Sequence, residues 1–139
     1  MAGSAISIDI GGFKYLVDNS NETIKTLTGQ AVTTAGTTLH DIIDNTNYQV
    51  PAGKTFKAIG CIITGWGSNK TLHLIQNDTA DSKVTVVEKF IIIDDGVATD
   101  PREIPMTHLP TIAAEKFVNA YVSNTTAAIN FFYVIGVEF

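Results

Sequence analysis

The sequence predicts one all-β domain, an antiparallel β-sandwich, and three observations predict it. Helical periodicity is almost absent, while Thr, Val and Ile are abundant and Leu is scarce, the balance expected of pleated strands. Turn-forming residues recur about every eight to twelve positions, the spacing of sandwiches and barrels. Apolar and polar residues also alternate, most clearly at Ile6, Ile8 and Ile10 with Ser7 and Asp9 between them.

The elements follow in order. Phe13, Tyr15 and Val17 repeat the alternation after Gly11-Gly12, and residues 18–21 form a polar turn. Thr23 to Thr28 suits a short strand. From Gly29 to Thr38 the chain is largely Gly, Ala and Thr with little to bury, which reads as a tether. Residues 1–37 are therefore expected to form an extended N-terminal arm, and residues 38–139 the sandwich. Leu39 to Ile43 is a further strand, although Thr-Leu-His-Asp-Ile-Ile-Asp could also open a short helix. Pro51-Ala52-Gly53-Lys54 is a turn before a long strand, Thr55 to Thr64. Simple alternation puts Ile59, Cys61 and Ile63 on one face of it, and Phe56, Ala58 and Ile62 on the other.

Gly65 to Asn69 turns the chain, and residues 70–76 and 84–93 are strands separated by a polar loop. Pro101, Pro105 and Pro110 make residues 97–111 loop or sheet edge. Phe117 to Ser123 and Ala127 to Phe139 complete the sheets. In the last strand Ile129, Phe131, Tyr133, Ile135, Val137 and Phe139 form one apolar face, while Phe132 and Val134 put bulk on the other. Strands apolar on both sides are covered on both sides, by a second layer or another subunit. Phe56, Ile62, Phe132 and Val134 are accordingly expected at an interface between copies of the chain.

At 139 residues the chain suits one domain, and a chain of this size buries about 70% of its unfolded surface, enough to fold without disulfide or metal. Apolar residues are 45% and charged residues only 17%, which argues against disorder and for a surface partly hidden in an oligomer. No apolar run approaches the roughly 20 residues of a membrane helix, and the first residues have neither the basic start nor the apolar centre of a signal peptide. A net charge of −5 with nine scattered basic residues makes nucleic acid a poor partner. A soluble chain with neither membrane nor nucleic acid as partner is expected.

The reactive residues show no catalytic or cofactor signature. His40, His73 and His108 lie far apart, with no His-Glu-x-x-His or Cys-x-x-Cys spacing. His40, Asp41 and Asp44 could offer three metal ligands on a helical turn, but a polar turn explains them more simply. Cys61, within an apolar strand, reads as a core residue and not a nucleophile. Asp78, Asp81, Asp94 and Asp95 sit in loops that calcium could use, without EF-hand spacing, and solvated turns are expected. The expectation is a non-enzyme with no metal or cofactor. Trp66, between two glycines, could anchor a partner or stack on a sugar.

Tyr48 to Phe56 (YQVPAGKTF) resembles the entry into a strand of small jelly-roll domains in bacteriophage virion proteins. The end, residues 122–139, closing on Val-Ile-Gly-Val-Glu, is similar to their final strand. This resemblance implies a jelly roll, often trimeric, working in the virion as a capsid decoration (cement) protein on the major capsid protein. In that role Ile6, Ile8, Ile10, Phe13, Tyr15 and Trp66 would contact the shell. The alternative it leaves is the receptor- or glycan-binding head of a tail or fibre.

Overall fold

The computed structural model describes residues 6–64, 71–84, 87–93, 102–123 and 129–139. These residues contain no helix. Strands β1 (Ile6–Ile10) and β2 (Phe13–Val17) pair as a hairpin. Its loop, Gly11-Gly12, has φ of 55° and 84°; two positive φ values make the type I′ turn that fits the twist of two strands. Next come β3 (Thr23–Val32), β4 (Thr37–Thr38), β5 (His40–Asp41) and β6 (Phe56–Thr64). The entry into β6 is a type II turn, with Gly53 at φ 76° and Lys54 N donating to Pro51 O at 3.1 Å. The remaining strands are β7 (Thr71–Asn77), β8 (Val87–Ile93), β9 (Arg102–Pro105), β10 (Thr111–Ile112), β11 (Phe117–Val122) and β12 (Ile129–Glu138).

Two antiparallel sheets face each other. The first runs β10-β6-β12-β3-β5, with β9 on the same edge of β6 as β10, and the second runs β4-β11-β7-β8. Between them lie Leu27 and Val32 of β3, Phe56, Ala58, Cys61 and Ile63 of β6, and Phe132 and Val134 of β12. From the second sheet come Leu72, Leu74, Val118, Ala120 and Val122. The sandwich expected from the sequence is what the chain forms.

The expected boundary near residue 37 is corrected, because the core draws on both sides of it. Strand β3 pairs with β12 from Ile129↔Val32 to Glu138↔Thr23, an interior position in the sheet. The Gly/Ala/Thr run is not a tether either. A Cβ on Gly29 would stand 2.7 Å from Leu39 Cδ2 and 3.1 Å from Val32 Cγ2. The residue is small because its neighbours fill the space.

Simple alternation also misplaces the faces of β6. Gly60 pairs with Ile135 but Ala58 with Gly136, so Ile59 is the extra residue of a β-bulge. Phe56, Ala58, Cys61 and Ile63 therefore all face the inter-sheet core, and Ile59 turns outward. Phe56, Phe132 and Val134 are each 0% exposed, so they are core residues and not an interface between copies. Gly136 permits the close approach at the bulge, since a Cβ there would collide with Lys57 O.

The β1–β2 hairpin forms a third layer on the outer face of the first sheet. Ile8, Ile10 and Val17 bury against Ile59 and Val137, with Phe13, Tyr15, Leu109 and Ile135 at the margin. Gly60 makes room for it, as a Cβ would come within 2.8 Å of Ile10 Cδ1. Much of the two-sided apolarity of β6 and β12 is thus satisfied within one chain.

Candidate interaction surface

A clamp fixes the hairpin to the sheet. Tyr15 donates its hydroxyl proton to Glu22 Oε2 at 2.6 Å, and Lys57 Nζ on β6 lies 3.2 Å from the same oxygen. The Lys57 ammonium also sits 5.0 Å from the Tyr15 ring centre and 5.1 Å from that of Phe139, within reach of a cation–π attraction. Burial pushes the Glu22 carboxyl upward, but hydrogen bonds from Tyr15, the Asp18 backbone and Lys57 outweigh it and hold it below its ordinary 4.5. A depressed carboxylate contributes stability that is present above the ordinary value and lost as pH falls through the folded one. Glu22→Gln is expected to cost about 1 kcal/mol at neutral pH, with the gap to the parent protein closing as pH falls below the ordinary carboxylate value and through the lowered one. Thermal unfolding of both proteins across pH 2–7 measures it; a gap that stays constant down to acid would rule out the clamp as its source.

The remaining predicted contact residues separate into distinct environments. Ile8 and Ile10 are buried under the hairpin and cannot meet a partner, a correction to their expected role. Phe13 and Tyr15 are half-buried, and Ile6 is 46% exposed. Trp66 lies outside the described residues, as do Asp94 and Asp95.

What the hairpin leaves uncovered is a strip along β12 and β6. Tyr133 pairs with Ile62, and Phe131 pairs with Thr64 two residues further on the same face. Tyr133 and Ile62 are half-buried and Phe131 is 42% exposed. Leu16, Ile24 and Phe139, each at least 39% exposed, add apolar surface on the hairpin and the flanking strand ends. Of the four residues expected at an interface, Ile62 alone remains available for one.

The polar candidates are occupied locally. Asp41 pairs with Lys25 at 3.1 Å, His40 Nδ1 is 3.2 Å from Asn45 Oδ1, and Asp44 accepts from Thr46. Asp78 pairs with Lys116 at 2.7 Å. Asp81 accepts the Thr38 amide at 3.0 Å, beside buried Asn119, which donates to Thr79 O and Ser82 O. These bonds pin the loop after β7 onto the second sheet. Among the described residues no three His, Cys, Asp or Glu side chains gather as a metal site. Burial pushes the Cys61 thiol far above its ordinary value, so it is held neutral.

His73 was the polar residue whose surroundings the sequence concealed. On the outer face of the second sheet it contacts Glu88 through Nδ1 and Ser123 Oγ through Nε2, the latter at 2.7 Å. Only strand register unites residues so far apart in sequence.

Comparison with protein-family models, curated sequences and solved structures finds no match. No helix among the described residues is long and apolar enough to cross a membrane.

Proposed function

We propose that this chain is a virion structural protein, a capsid decoration protein that binds the outer shell as a homo-oligomer, most simply a trimer. The observation that carries the reading is the apolar strip of exposed Phe131 and half-buried Tyr133 and Ile62 beside the packed hairpin. With exposed Leu16, Ile24 and Phe139 nearby it enlarges the apolar surface, and a contiguous exposed apolar patch marks a protein–protein contact. The wrapping of the chain supports the class. Taken in order, β3, β4, β6, β7, β8, β9, β11 and β12 occupy the first, second, first, second, second, first, second and first sheets. That order, β3-β12-β6-β9 facing β4-β11-β7-β8, is consistent with a jelly roll.

Self-association through this strip needs no free arm, and the packed hairpin borders it. Light scattering is expected to find a monodisperse oligomer, and Phe131→Asp is expected to dissociate it with little change in unfolding temperature. Electron microscopy of native particles is then expected to find the protein on the shell. A monomer at high micromolar concentration overturns the oligomer, and labelling at the tail tip would instead favour the receptor-binding head.

A further inference from the structure

We infer that Ser123, His73 and Glu88 form a nucleophilic relay that accepts an acyl group from a small activated ester. The inference is independent of the assembly role and starts from hydrogen-bond logic. A carboxylate can only accept, so the His73 nitrogen facing Glu88 Oε1, Nδ1, carries the proton. In the neutral imidazole Nε2 is then the acceptor, and the Ser123 hydroxyl, 2.7 Å away, donates to it. That is the proton arrangement of a serine nucleophile, its base and the carboxylate that orients the base, which is recognised by geometry and not by order along the chain.

The ring is held in place on a rigid element. His73 lies on β7 between the core residues Leu72 and Leu74, and its imidazole stacks on Tyr121 of β11 with centres 4.4 Å apart and planes 1° apart. Lys83 Nζ lies 5.0 Å from the centre of the Tyr121 ring. Ser123 is exposed just past the end of β11, where an ester can reach it.

Oγ attacks the ester carbonyl, forming the Oγ–C bond. Its proton passes to Nε2 and then to the departing alkoxide as the ester C–O bond breaks. Water reverses the sequence and releases the acid. Ser123 N is already committed to Thr71 O at 3.0 Å, so it does not serve as an oxyanion donor. Acylation by an activated ester should still outrun turnover, because a phenolate leaves far more readily than the Ser123 alkoxide does when water attacks the acyl-serine, and a single adduct accumulates.

The full chain is treated with p-nitrophenyl acetate, and p-nitrophenolate release, intact mass and peptide mapping are followed. One acetyl group on Ser123 is expected, formed in a burst that releases one p-nitrophenolate per chain. Ser123→Ala should lose the adduct, and His73→Ala should slow it by about 100-fold or more. Glu88 is a positioning residue: Glu88→Gln should slow the burst and alter its pH profile, while Glu88→Asp recovers part of the rate. Thermal unfolding is measured for each variant, and if His73→Ala does not fold, Glu88→Gln decides in its place. An adduct elsewhere, no adduct on the folded parent, or a burst indifferent to these substitutions overturns the relay.

Discussion

Deleting residues 1–37 is expected to leave the rest of the chain unable to fold. Strand β3 runs alongside nearly all of β12 and carries β5 on its other edge through Leu27↔Asp41 and Thr28↔His40. Removing it strips backbone partners from one side of β12 and takes Leu27 and Val32, both 0% exposed, out of the core. Losing a buried side chain of the size of leucine costs about 2–5 kcal/mol, so these losses together with the missing ladder reach the 5–15 kcal/mol that typically holds a domain together. Deleting only residues 1–20 is the informative contrast. It removes the hairpin and bares Ile59 and Val137, but it leaves both sheets intact. That shorter deletion should lower the unfolding temperature while preserving a cooperative transition and a β-type circular dichroism spectrum. If residues 38–139 alone melt cooperatively near the parent temperature, β3 is dispensable and the arm interpretation returns.

Two neighbouring phenylalanines should behave in opposite ways. Phe132→Ala is expected to cost about 3–5 kcal/mol, the range for a large aromatic side chain removed from a packed core. Its ring is wholly buried between the sheets and sits near Gly29, whose missing Cβ would lie 3.9 Å from Phe132 Cδ2. Phe131→Ala removes a side chain of the same size from the opposite face, where 42% of the residue is exposed. Its cost in monomer stability should stay within about 1 kcal/mol, and its effect should appear in self-association. Urea unfolding and light scattering on the two variants separate these outcomes. Equal destabilisation would mean that the outer strip is packed as firmly as the core; a shift in oligomeric state from Phe132→Ala alone, without loss of stability, would place Phe132 at an interface after all.

Period-two alternation, the placement of glycine and proline, and the scarcity of helical pattern were enough to specify an antiparallel β-sandwich. The Gly11-Gly12 hairpin and the Pro51–Lys54 turn were legible because turn geometry is a local demand on φ. The role of Gly29 was not, because its smallness answers to Leu39, Val32 and Phe132, none of which adjoins it in sequence. The bulge at Ile59 reversed the face assignment for half of β6, and a bulge is defined only by the partner strand it interrupts. Likewise, the sequence marked β6 and β12 as apolar on both sides but could not say what covers them. Covering the outer side with the chain's own hairpin depends on Ile10 meeting Gly60 and on Lys57 meeting Glu22 and Tyr15. Periodicity records which residues share a face; only the closure of distant strands decides what lies over that face, and the same closure brought His73, Glu88 and Ser123 together.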